Sequence, residues 1–189
     1  MKIELLLLGI VVVIGWGLQV VGGKDEALPG KAPGKQKITT FLWFDDKAEE
    51  AANFYVSIFP NSKINGVARY TEVGPGKPGS VMTVDFELNG QQFLALNGGP
   101  LFPFTEAISL VVNCETQKEI DHYWDKLSAG GKIQQCGWLK DRYGLSWQIV
   151  PALLATQMRN GDPARLNRVM KEVLASVKLD IAKLQAAYG

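Results

Sequence analysis

The chain has 189 residues, 47% of them apolar and 21% charged, a balance that excludes both an intrinsically disordered chain and a polytopic membrane protein. Twenty Lys and Arg against nineteen Asp and Glu leave a net charge of +1. No basic run is available to neutralise a row of phosphates, so nucleic acid is not an expected partner. One histidine, His122, excludes any mechanism that needs two or three imidazoles, and two cysteines, Cys114 and Cys136, are too few for a disulfide framework.

From Leu5 to Val21 the run LLLLGIVVVIGWGLQVV is uncharged, with Gln19 its only strongly polar side chain. Its length falls between the apolar core of a signal peptide, about 7 to 15 residues, and a spanning helix of about 20. The flanks favour a spanning anchor, because Glu4 offsets Lys2 and Val20-Val21-Gly22 is a poor cleavage site. Lys24, Lys31, Lys35 and Lys37 after the span outnumber Lys2 before it, which places the following domain in the cytoplasm. The alternative is an exported domain released by signal cleavage. Residues 1–22 are thus an anchor or signal, and residues 23–36, mixing Gly, Pro and charge, a flexible linker.

KITTFLWF (Lys37 to Phe44) is rich in aromatic and branched residues and reads as a strand. Asp46 and Glu49 form a capping-box pattern for a helix whose apolar stripe is Ala51, Phe54, Tyr55 and Ile58, ended by Pro60. Three strand-like runs follow at 62–71, 80–88 and 91–98, with Asn89-Gly90 forming a hairpin turn between the last two. The order repeats about seventy residues later. A strand at 107–114 leads to a second capping box, Thr116 with Glu119, and a stripe of Ile120, Tyr123, Trp124 and Leu127; short runs at 132–135, 137–141 and 145–151 complete the repeat. Strand, helix and three strands, twice over, imply an α+β fold of two βαβββ modules (37–99 and 105–151) with mainly antiparallel pairing. Residues 152–189 form a helical extension, with Asp162 as cap, Pro163 at the first position, and one apolar stripe from Leu166 to Tyr188.

Alternate residues of a strand share a face. One set, including Phe41, Trp43, Val84, Phe86, Leu94, Leu96, Leu110, Val112, Trp147 and Ile149, is expected beneath the helical stripes. The other set mixes Leu42, Phe44, Phe93, Ala95, Val111 and Val150 with Thr40, Thr83, Asp85, Glu87, Asn97, Ser109, Asn113, Ser146 and Gln148. Apolar walls dotted with a few polar groups suit a ligand cavity, whereas a wet sheet face would carry more Lys, Glu and Arg. Thr40, Leu42, Phe93, Asn97, Ser109, Trp138 and Gln148 are the expected ligand-binding residues, and Asp85 is the candidate general base. His122 lies off its helix's apolar stripe and reads as a surface residue.

The motifs FLWFDDKAEEAANFYVSIF (Phe41 to Phe59), FLALNGGP (Phe93 to Pro100), FTEAISLVVNCET (Phe104 to Thr116) and CGWLKDRYGLSWQIVP (Cys136 to Pro151) resemble the PhnB-like branch of the vicinal-oxygen-chelate superfamily of glyoxalases, bleomycin-resistance proteins and extradiol dioxygenases. The resemblance implies cupped sheets around a cavity, with a metal held by His and Glu from the first and last strands of each module. Those positions thread onto Thr40, Ala95, Ser109 and Gln148, none of which is a His or a carboxylate, so no metal and no cofactor is expected. Leu101 stands where relatives place a histidine after the GGP turn. The branch often carries the label 3-demethylubiquinone-9 3-methyltransferase, yet no glycine-rich strand-to-helix turn suits an S-adenosylmethionine site. The expectation is a homodimer that binds a small, partly apolar molecule without metal; the alternative is an enzyme acting on an unidentified small molecule.

Overall fold

The computed structural model describes residues 37–189. The expected anchor at 5–21 and the linker at 23–36 lie outside the described residues. Among the described residues no helix is long and apolar enough to cross a membrane.

The first module runs β1 (Thr40–Phe44), α1 (Ala48–Ile58), β2 (Lys63–Arg69), β3 (Val81–Leu88) and β4 (Gln91–Asn97). The second runs β5 (Ser109–Cys114), α2 (Gln117–Ser128), β6 (Lys132–Ile133), β7 (Trp138–Lys140) and β8 (Ser146–Pro151). Each folds into a four-stranded mixed sheet, in the orders β1-β4-β3-β2 and β5-β8-β7-β6. Only the pairs β1-β4 and β5-β8 are parallel, because the helix crosses over between the first strand and the rest. The matching orders establish the duplication. Between β3 and β4, Asn89 and Gly90 both have positive φ, at 46° and 83°, as the expected hairpin requires.

The two helices start by different means. Thr116 Oγ1 accepts from the Glu119 amide at 3.2 Å while Glu119 Oε2 accepts from the Thr116 amide at 3.2 Å, so the second capping box forms as expected. The first does not. The residue before α1 is Lys47, with no side-chain cap, and the Ala48 amide instead donates to Asn97 Oδ1 of β4 at 2.7 Å. Asp46 is exposed and takes no part.

Both helices pack on their sheets into one apolar core that joins the modules. Ala51, Tyr55 and Ile58 of α1 and Ile120, Trp124 and Leu127 of α2 are buried in it with Val84, Phe86, Leu139, Trp147 and Ile149. Phe59, at the end of α1, stacks on Trp147 of the second sheet with ring centroids 5.5 Å apart. His122 is exposed on α2, its Nε2 3.2 Å from the Ile58 carbonyl.

The expected single C-terminal stripe is broken. Three helices, α3 (Ala152–Asn160), α4 (Pro163–Ala175) and α5 (Ile181–Tyr188), replace it, and Val177 lies in the gap between the last two. Val169, Val173, Leu179 and Leu184 form a second core against Val150 and Cys136. Polar contacts fix this extension to the second module: the amides of Cys136 and Gly137 donate to the Ser176 and Val177 carbonyls, both at 2.8 Å. Lys178 pairs with Asp121 at 2.6 Å.

Candidate functional site

Register decides which residues each module leaves outside its core. In the first sheet Leu42 pairs with Ala95 and Ala95 with Val84, while Thr40 pairs with Phe93 and Phe93 with Phe86. Opposed residues share a face, so these all point towards the helix. Leu42 is 5% exposed and Phe93 3%, and Phe93 stacks on Phe86 at 5.4 Å. Both are packed in the core. Asn97 is also spoken for: besides capping α1, its Nδ2 donates to the Val81 carbonyl at 3.1 Å. Four expected binding residues of the first module, Thr40, Leu42, Phe93 and Asn97, therefore belong to the helix-covered side. Phe41, Trp43, Leu94 and Leu96 take the helix-free face with Asp85.

In the second module the expected faces are correct. Leu110 pairs with Trp147 and Leu139 with Trp147 on the side covered by α2; Val111 pairs with Gln148 and Gln148 with Trp138 on the side away from α2, where Val150 packs against the C-terminal helices. Gln148 Nε2 donates to Ser109 Oγ at 2.8 Å. Asp85, on the other sheet, accepts from Asn65 Nδ2 at 3.1 Å and Gln92 Nε2 at 3.2 Å. The structure thus brings Ser109, Trp138 and Gln148 onto one surface and leaves Asp85 among amides of the first sheet.

A cleft of about 450 Å³ opens where the modules meet. Trp43 and Phe44 of β1, the β4–β5 connection through Gly99, Pro100, Phe102, Pro103 and Phe104, and Lys140, Arg142, Tyr143 and Gly144 at the β7–β8 turn line it with Asp45 and Lys47. Its aromatic wall is fixed. Trp43 Nε1 donates to the Gly99 carbonyl at 2.8 Å, its ring meets Phe102 edge-on at 5.0 Å, and Phe44 meets Phe104 at 5.2 Å. Residue 98 must be glycine, since a Cβ there would collide with the Trp43 indole.

The opposite wall hangs on Asp141, which is 3% exposed. Its Oδ2 accepts from Tyr55 Oη at 2.7 Å and Trp147 Nε1 at 2.8 Å, and its Oδ1 from the amides of Tyr143 at 2.8 Å and Leu145 at 3.1 Å. Burial pushes the Asp141 carboxyl above its ordinary value, and the four donors oppose that rise. The same burial, with Asp141 beside it, drives the Tyr55 phenol well up. One carboxylate therefore ties α1 to the turn of the other module. The sequence signal was present but unread: an acidic residue closing a strand directly before an aromatic-Gly turn, with a tyrosine on the predicted apolar stripe.

Metal ligation does not suit these residues. Ser109 and Gln148 offer neutral oxygens, the first-module helix-free face offers Phe41, Trp43, Leu94 and Leu96 beside the single carboxylate of Asp85, which accepts from Asn65 and Gln92, and the threaded Ala95 is fully buried. Among the described residues no group of three or more His, Cys, Asp or Glu could hold an ion.

Residues 36–150 match the family model described as 3-demethylubiquinone-9 3-methyltransferase. A PhnB protein of Bacillus cereus, which bears the same methyltransferase description, is 48% identical, with a TM-score of 0.58 over 62% of this chain and 100% of that one. The chain belongs to the PhnB-like family of the vicinal-oxygen-chelate superfamily. Protein PA1353 of Pseudomonas aeruginosa shares its fold at 17% identity and a TM-score of 0.51, over 61% of this chain and 96% of that one. The fosfomycin resistance protein FosX of Listeria monocytogenes gives 14% identity and 0.47, over 68% of this chain and 98% of that one. A comparison with curated proteins returned no match. The C-terminal helices of this PhnB-like chain lie beyond the matched residues. Its two strand-to-helix turns, Asp45-Asp46-Lys47 and Glu115-Thr116, contain no glycine.

Proposed function

We propose that this PhnB-like protein binds a small, partly apolar molecule in the cleft between its modules, without the superfamily's usual metal. The observation that carries the reading is the cleft itself, whose aromatic rings come from both modules and are held in place before any ligand arrives. The absence of imidazole and paired carboxylates from its lining supports a metal-free mode. An enzymatic role for Asp85 gains less support, since Asp85 does not line the cleft and both its oxygens accept from amide side chains.

We further propose a homodimer tethered through residues 5–21. Phe41, Ile108 and Val111 sit exposed on or beside the helix-free faces, where a second copy would cover them.

A thermal-shift screen of apolar small molecules, with and without divalent ions, tests the function. Stabilisation by planar compounds independent of added metal is expected, and Phe102→Ala should reduce it. A tightly held stoichiometric metal in the purified protein would overturn the metal-free reading.

A further inference from the structure

We infer that the molecule held in the cleft carries an oxyanion, such as a carboxylate, at one end of a planar apolar body. This rests on the reading of the cleft as the ligand site and adds the ligand's charge to it.

Three cations line the cleft against one carboxylate, that of Asp45. Two of the three bring their own counter-ions: Lys47 pairs with Glu50 at 3.3 Å and Lys140 with Glu106 at 2.9 Å. Arg142 does not. Among the described residues it pairs with no carboxylate; its Nε donates to the Ala129 carbonyl at 3.2 Å and its guanidinium lies 4.6 Å from the Phe54 ring centre. Those contacts orient the guanidinium and leave its terminal nitrogens as donors, the fork that suits an oxyanion.

The turn that displays Arg142 is held by an expensive device. Burying a carboxylate is unfavourable, and an apolar residue would fill the same space at lower cost. Asp141 instead fixes the amides on both sides of Tyr143-Gly144. Lys140 and Arg142 flank it directly, and both line the cleft that Trp43 and Phe102 also line. Cations and aromatic rings that line one cleft suit a ligand with a charged end and a flat apolar end.

The test is titration calorimetry of the full chain at low salt with 2-naphthoate and with its neutral counterpart 2-naphthamide. The carboxylate should bind roughly tenfold tighter or more, the worth of a charge-assisted hydrogen bond. Arg142→Gln should abolish that preference, Arg142→Lys should retain part of it, and Lys183→Gln, an equal change of net charge on α5, should leave it intact. Phe102→Ala should weaken both compounds alike. Equal binding of the two compounds to the unaltered protein, or a preference that survives Arg142→Gln, would overturn the anion inference while leaving the cleft reading standing. If neither compound binds, both fall together.

Discussion

Asp141 is held out of water by two aromatic side chains and a tight turn, and it accepts from four donors. An Asp141→Asn protein would set an amide N–H against the donors of Tyr55 or Trp147, so about 2 to 4 kcal/mol of stability should be lost, read from the urea midpoint. The loss should depend on pH. Because burial raises the folded carboxyl above its unfolded value, its contribution is fully present below the unfolded value near 3.8 and is lost as pH rises through the folded one. The gap between wild type and Asp141→Asn should therefore widen as pH falls from 7 towards 4; a constant gap would refute the assignment. Exposed Glu106 and Asp121, held low by Lys140 and Lys178 respectively, act in the opposite direction in both proteins and cancel in the difference. Cys114 offers a second check. Burial pushes its thiol up to about 12, so iodoacetamide at pH 8 should leave it unmodified in the native protein, as peptide mass mapping would show.

At the scale of elements, the strand and helix order was legible because both helical stripes and the Asn89-Gly90 turn follow local rules. The faces of the first sheet were not. TFLWF and FLAL are apolar at both parities, so hydrophobicity cannot say which side of β1 or β4 is covered. β3 could have said it: Val84, Phe86 and Leu88 alternate with Thr83, Asp85 and Glu87, and cross-strand register carries that choice through Ala95 to Leu42. Substitution distinguishes the two assignments. Phe93→Ala should cost about 3 to 5 kcal/mol and Phe41→Ala less than about 1, measured by chemical denaturation. In the second sheet Ser109 beside Gln148 was readable, because each strand there has one polar parity. The cleft was not, since most of its lining comes from loops and a turn brought together with the ends of β1 and β7 only by the packing of one module on the other.

For the whole molecule, the open questions concern what surrounds the paired modules. Light scattering at micromolar concentration should give twice the chain mass; a monomer would count against a second copy over Phe41 and Val111. Mass spectrometry of the mature N-terminus should find residues 1–22 retained, whereas a chain beginning near Gly23 would establish export instead. Fold class and duplication followed from periodicity alone, as did a helix opened by Asp162 and Pro163, but the break after it did not, because Leu166 to Tyr188 keeps its apolar spacing straight through Ser176–Asp180. There the backbone turns to pair with Cys136 and Gly137, a tertiary contact that no spacing records.

The unequal starts of the two helices have a consequence in time. α2 carries its cap within four residues and can nucleate as soon as that stretch exists. α1 takes its first acceptor from Asn97, 49 residues further along, and must wait for β4 to arrive. The half of the duplication made second by the ribosome is then the half equipped to order first. Thr116→Ala should slow refolding, while Asn97→Ala should chiefly hasten unfolding.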